Sequence, residues 1–368
     1  MKRLLILGNG YHIGNKYKTS YKNFKYFLCN SEKYLKTIES SGHVRDESRE
    51  YWHPATVDMI NVNNIDEYFS ETARIAEVNY FDLNYINQFK QTKLYKILEV
   101  EDKNYDLWSD VEEGIRIILD KIYKYYNYGL IENNKIVEYC KEIREEELVI
   151  EIFKNVLLFE KSFASYLLMF NEPFDCGTYN MIGNKYEKDN VNMNLGRYFN
   201  EKLDVISFNF FKCSGDIDML INIKDGDAER YINIHNTVEC NRNFDKQILI
   251  GIQDGYFDKD LYIRFEKIQR LHSLGVDIKS KVLERLELYD EYIVYGHSIG
   301  LSDYYFFSKI IDCVIKGNKK LIVYWHSNEG RKKIIKNIEY YVKDNLNYER
   351  VKNIPLNIEF VKILIPKQ

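Results

Sequence analysis

The chain has 368 residues, of which 45% are apolar and 29% charged, ordinary proportions for a globular protein with one large core or two domains. Its formal net charge of −4 supplies no whole-molecule attraction for a polyanion, so nucleic acid is not an expected partner on charge grounds. The six cysteines, Cys29, Cys140, Cys176, Cys213, Cys240 and Cys313, form no CxxC pair. They read as reduced cytosolic thiols rather than a disulfide framework or a zinc site, and no metal is expected.

The chain opens on an uninterrupted apolar run, Leu4-Leu5-Ile6-Leu7, that breaks into Gly8, Gly10 and Gly14. That pattern reads as a buried strand turning sharply toward a helix or a ligand-binding loop. Without a Cβ, glycine lets backbone N–H groups approach a phosphate. The same residues also serve a tight turn with no ligand, and the glycines alone leave both readings open. The strand starts close to Met1 with no apolar h-region, so no secretory signal is expected and the protein is expected in the cytoplasm.

Tyr21, Phe24, Phe27, Leu28 and Leu35 then give a loose helical face. Neither a second strand nor an acidic residue at its end follows within about 30 residues, so the usual βαβ dinucleotide pattern is not met. Residues 41–63 are polar and irregular and read as a loop.

From about Asn64 to Phe170 the period is helical. Trp108, Val111, Ile115, Ile118, Ile122 and Tyr125 step by three or four, as do Ile152, Val156, Phe159, Phe163, Tyr166 and Phe170. The most apolar stretch, 148–170, is interrupted by Glu151, Lys154, Glu160 and Lys161, so no membrane span is expected. Residues 31–195 therefore read as a mainly helical insertion. Glu112 falls on or beside an apolar stripe, where a carboxylate must be paired or line a cleft.

Beyond Leu195 short apolar runs alternate with helical segments. The runs are 205–208, 231–234, 248–250, 292–295, 321–325 and 358–365, and the helices lie near 260–289, 303–316 and 328–347. This alternation predicts an α/β domain from residues 1–30 plus 196–368, with a mostly parallel, Rossmann-like sheet that the first strand joins. Arg331, Lys333, Lys336 and Lys343 make one helix basic, but Glu329, Glu339 and Asp344 interleave them, the pattern of a solvated face.

Polar residues fall at the ends of these strands: Ser207-Phe208-Asn209, His235-Asn236, Gly251 with Gln253 and Asp254, and Gly296-His297-Ser298 with Ser302 and Asp303. In a parallel sheet such ends share one rim, where ligands bind. Gly296-His297-Ser298-Ile299-Gly300 also fits the G-x-S-x-G elbow of serine esterases. That triad needs an acid and then a histidine downstream, and only His326 follows Ser298.

Residues 5–24, LILGNGYHIGNKYKTSYKNF, resemble the opening signature of the AbiH family of bacterial phage abortive-infection proteins, LGNGFD followed by T-x-Y-x-x-F. The resemblance continues at Trp108-Ser109-Asp110-Val111-Glu112 (a W-x-D-x-E helix), Ser207-Phe208-Asn209 (FNYT), Ile234-His235 (IHG), Leu249-Ile250-Gly251, and the run from Tyr295 to Asp303 (GHSLG-x-SD). The blocks keep their order over nearly the whole chain. The arrangement also looks like a distant relative of sirtuin-type proteins.

This resemblance implies an antiviral defence protein that binds and hydrolyses NAD or a related nucleotide at its N-glycosidic bond. The nucleotide-binding candidates are Gly8, Asn9, Gly10, His12, Thr19, Ser207, Gly251, Gly296 and Ser298. The catalytic candidates are Asn209, His235, His297 and Asp303, with His235 taking a proton from a ribose hydroxyl or water and Asn209 holding that group. A phage-derived trigger is the implied partner, and a homo-oligomer stays open. The chain departs from the family at His12 (Asp in the family), Lys16 (Gly), Phe211 (Thr) and Asn236 (Gly). Those departures support an alternative, a nucleotide-binding sensor that controls a partner without catalysis.

Overall fold

A computed structural model describes residues 1–10, 20–40, 80–105, 107, 110–130, 134–171, 194–198, 203–209, 231–234, 248–273, 282–317, 319–344 and 356–364. The chain divides into two compact units. One is Lys18–Gly183 with Val238–Glu266, and the other is Met1–Tyr17, Asn184–Thr237 and Lys267–Gln368.

The first unit is helical. Its described helices are α1 (Tyr21–Cys29), α2 (Ser31–Ser40), α3 (Tyr80–Lys90), α4 (Lys93–Tyr105), α5 (Val111–Tyr128), α6 (Lys135–Glu142), α7 (Glu145–Asn171) and the single turn α8 (Asp260–Ile263). A capping box between Ser20 and Asn23 starts α1. Asp110 caps α5 through the Glu113 amide, and Gly129, at φ 66°, ends it in the left-handed region. Val111, Ile115, Ile118 and Ile122 of the predicted stripe are buried and Tyr125 is half-buried, whereas Trp108 lies outside the described residues.

The core of this unit is aromatic. Phe24 of α1 sits 5.2 Å from Phe163 and 5.1 Å from Tyr166 of α7, between ring centroids, with Phe89 of α3 alongside. The sequence assigned residues 18–30 to the sheet domain. Phe24 and Phe27 instead join the α7 rings, because only an apolar helix face covers theirs.

The run 248–250 also departs from expectation: it is no strand of the sheet. Ile250 N–H donates to Oε1 of the buried Glu160 at 2.6 Å, and the N–H of the next residue, Gly251, to Oε1 of the buried Glu112 at 3.0 Å. An apolar extended run looks the same in sequence whether a strand or a side chain receives its hydrogen bonds. Glu112 thus accepts a backbone amide, one of the two outcomes that its place beside an apolar stripe allows. Glu145 of α7 fastens the same segment by accepting from Tyr262 Oη and Lys259 Nζ, both at 2.9 Å.

Glu266 closes this segment by accepting the Gly255 amide at 2.8 Å. Burial raises its pKa above the ordinary glutamate value of 4.5, and the amide bond offsets part of that rise. The unfolded chain releases this proton first as pH rises. The group's contribution to stability is therefore full below about pH 4.5 and declines as pH passes through the folded pKa. Glu266→Gln removes this decline, so its urea midpoint is expected to exceed that of the wild type at pH 7 and to match it near pH 4. Equal differences at both pH values would contradict the burial.

The second unit carries the sheet. Its strands are β1 (Arg3–Leu7), β2 (Leu203–Ser207), β3 (Tyr231–Asn233), β4 (Glu291–Tyr295), β5 (Lys320–Trp325) and β6 (Ile358–Lys362). Its helices are α9 (Lys267–Ser273), α10 (Tyr304–Lys316) and α11 (Asn328–Asp344). The segment expected as one helix over 260–289 is α8, α9 and a 3₁₀ turn, Leu283–Leu288.

The strand order is β3-β2-β1-β4-β5-β6, and every pairing is parallel. This is the doubly wound Rossmann-like order, with the chain winding outward from β1 and then from β4. Leu5, Leu7, Val205, Ile293, Tyr295, Ile322 and Tyr324 fill one face together with Leu195 and Tyr198. Leu4, Ile6, Tyr292, Val294, Leu321 and Val323 point to the other and are fully buried. Burial on both faces is why β1 reads as a continuous apolar run. Among the described residues no helix is long and apolar enough to cross a membrane.

Candidate functional site at the sheet switch point

In a doubly wound sheet the crevice for ligands lies outside the carboxyl ends of the strands where the winding reverses, here β1 and β4. Gly8-Asn9-Gly10 follows β1 and Gly296-His297-Ser298-Ile299-Gly300 follows β4, so both loops stand at that place.

The two loops bind each other. Gly8 N–H donates to the Tyr295 carbonyl at 2.9 Å and Gly10 N–H to that of Gly296 at 2.8 Å. A Cβ on Gly8 would lie 2.5 Å from both Gly296 O and His297 Cα, and one on Gly10 would lie 2.6 Å from Gly296 O. These two glycines are required by close backbone approach, and their amides are spent on carbonyls rather than held for a phosphate.

The loop after β4 is strained and tied down. Ile299 adopts φ 52°, which is costly for a β-branched residue, and Gly296 precedes it at φ 70°. Ile299 N–H donates to His297 Nδ1 at 2.9 Å. From α11, Tyr341 Oη donates to the Gly300 carbonyl at 2.8 Å and Asn337 Nδ2 to that of Ser298 at 3.2 Å. Burial, and after it the charge of Asp303, push the Tyr341 phenol well above its usual pKa, so it remains a donor.

His297 is held on every side. Nδ1 accepts from Ile299, Nε2 lies 3.3 Å from Asp303 Oδ2, and the ring sits 4.6 Å from Phe208 and 4.7 Å from Phe307. An imidazole that accepts at Nδ1 carries its proton at Nε2, the nitrogen that lies beside the Asp303 carboxylate. Asp303 Oδ1 in turn accepts from Lys267 Nζ at 2.8 Å, with the Lys267 side chain 0% and that of Asp303 4% exposed. The sequence makes His297 and Asp303 candidates for acting on substrate. The geometry instead engages both imidazole nitrogens and both carboxylate oxygens within the protein.

At the end of β2 the ladder runs one residue further, Phe208 N–H donating to the Leu7 carbonyl at 2.7 Å. Ser207 and Asn209 are fully buried, and Ser207 Oγ lies 3.2 Å from both the amide and Nδ2 of Asn209. Phe208 touches the His297 ring, which joins the β2 and β4 ends. Ser298 is exposed and is not the residue of positive φ, which is Ile299; in an esterase elbow the strain falls on the nucleophile.

The structure thus brings Gly8, Gly10, Ser207, Asn209, Gly296, His297, Ser298 and Asp303 to one rim of the sheet unit. Gly251 belongs to the helical unit and spends its amide on Glu112. His12, Thr19 and His235 lie outside the described residues, as do Lys16, Phe211 and Asn236. Lys267, Phe307, Asn337 and Tyr341 belong to the site's frame without having been singled out from sequence. A lysine after Phe265-Glu266 carries no sign of burial, and Tyr341 reads as one of 32 tyrosines. Among the described residues no group of three or more His, Cys, Asp or Glu side chains converges as metal ligands. Comparison with family models, with curated proteins and with solved structures found no match to this chain.

Proposed function

We propose that this protein binds a nucleotide such as NAD over the carboxyl ends of β1, β2 and β4, and that it serves phage defence by consuming or sensing that nucleotide. The observation that carries the reading is the strand order. It places the glycine turn after β1 beside the GHS loop after β4, where doubly wound sheets take nucleotides. The ordered blocks that resemble the AbiH family support the same reading, since three of them, the glycine turn, 207–209 and 295–303, fall on this rim.

For cleavage of the N-glycosidic bond the groups assigned are Asn209 and His235. Such a bond breaks through an oxocarbenium-like state, so the site must orient the ribose and stabilise developing charge. Asn209, buried beside Ser207 at the end of β2, suits a positioning role. His297 and Asp303 frame the rim. A second reading, binding without turnover, is favoured by one observation: the nitrogens of His297 and the oxygens of Asp303 are already engaged by Ile299 and Lys267 and by each other.

One experiment separates the readings. NAD is expected to raise the melting midpoint of the purified protein, and nicotinamide release, measured with and without phage lysate, reports turnover. Release lost in His235→Ala and Asn209→Ala supports cleavage; stabilisation without release supports the sensor. The absence of both NAD stabilisation and nicotinamide release under all of these conditions would overturn both readings.

A further inference from the structure

Lys267 has no exposed side-chain surface, and the carboxylate it meets is buried as well. Desolvating an ammonium and a carboxylate is costly, and such a pair adds little net stability over a well-packed apolar pair. Its place in the fold shows what it does. Asp303 stands immediately before α10, the position from which an aspartate ordinarily caps a helix, yet its side chain makes no cap hydrogen bond. It is turned to Lys267 through Oδ1 and to His297 through Oδ2.

The chain of contacts then runs outward to the rim. Asp303 Oδ2 stands 3.3 Å from His297 Nε2, and Nδ1 accepts the N–H of Ile299, the residue of positive φ. A β-branched residue persists at φ 52° only where its surroundings over-determine it. We propose that Lys267 is the positioning residue of the switch-point site. It keeps Asp303 charged, Asp303 sets the His297 tautomer, and His297 holds the strained turn that presents Ser298 beside the Gly8–Gly10 loop. The proposal rests on the nucleotide reading for what the preformed loop receives, but the lock itself is a statement about four named groups.

The test uses the full-length protein. Lys267→Met alone leaves a buried carboxylate uncompensated and is prone to unfold. Lys267→Met with Asp303→Leu removes both charges and keeps the volume apolar. In protein labelled with ¹⁵N at histidine, the wild-type His297 is expected to show one neutral tautomer, protonated at Nε2. The folded double variant is expected to show tautomer exchange at His297 and an NAD affinity about tenfold weaker, the loss when the competent loop is populated about one tenth of the time. Lys267→Arg alone, with Asp303 in place, keeps the charge pair and is expected to keep the single tautomer.

A His297 signal unchanged in the double variant, or an Nδ1-protonated wild type, overturns the lock. Altered His297 signals with undiminished NAD affinity overturn its role in positioning. If NAD fails to stabilise even the wild type, the nucleotide reading falls while the imidazole signals still decide whether the Lys267–Asp303 pair sets the tautomer.

Discussion

Gly8→Ala is expected to destabilise the sheet unit by about 3 kcal/mol, the upper end for adding one methyl group to a packed site. The added carbon would lie 2.5 Å from Gly296 O and from His297 Cα, both backbone atoms that no rotamer change can move. Either β1 and β4 separate at their carboxyl ends, breaking the hydrogen bond from Gly8 to the Tyr295 carbonyl, or the loop after β4 is displaced together with His297. In both cases the proposed nucleotide binding is expected to weaken along with stability. Gly129→Ala is the control. Gly129 also has a positive φ, of 66°, but nothing lies within 4 Å of an added Cβ, so only the left-handed backbone cost of about 1 kcal/mol applies. Urea denaturation, combined with hydrogen exchange of the β1 amides, compares the two. A Gly8→Ala loss no larger than that of Gly129→Ala would mean that the loops do not meet as described.

In the helical unit the largest polar effect is expected at Glu160. It is 0% exposed and accepts the Ile250 amide at 2.6 Å. Glu160→Ala removes a charge-assisted acceptor, leaves a buried N–H without that bond and opens a cavity, together costing about 3 kcal/mol. Glu160→Gln keeps an acceptor oxygen in nearly the same place and is expected to cost about 1 kcal/mol. Hydrogen exchange distinguishes this from general loosening. The Ile250 amide should exchange much faster in Glu160→Ala than in Glu160→Gln, with β1 and β4 unchanged in both. Equal protection of Ile250 in the two variants would show that Glu160 does not hold this segment.

Glu112 and Glu160 also show where reading the sequence stopped. Each sits among apolar positions at helical spacing, so a demand for a partner was legible, as it was stated for Glu112. The partner was not, because a backbone amide is carried by every residue but proline and leaves no mark in the sequence. The run 248–250 was misplaced for the complementary reason: its apolar side chains are visible, but the acceptors of the Ile250 amide and of the next one, Gly251, are two carboxylates about 90 and 139 positions away in the chain.

The candidate site divides the same way. That Ser207, Asn209, Gly296 and His297 stand at strand ends follows from apolar runs that stop at polar residues. Whether a histidine at such an end is poised or engaged depends on what reaches its two nitrogens, and here those are an amide two residues on and an aspartate bound to Lys267.

By itself, then, the sequence determined the α/β class, the helical insertion, the six strands of the sheet and the rim on which polar residues collect. These follow from local periodicity, which needs only neighbours within a few positions. The tertiary structure alone decided the order β3-β2-β1-β4-β5-β6, the contact that spends the Gly8 and Gly10 amides, and the Lys267–Asp303–His297–Ile299 chain. Each of these depends on groups far apart in the chain meeting at hydrogen-bond distance, and no spacing along the sequence encodes that distance.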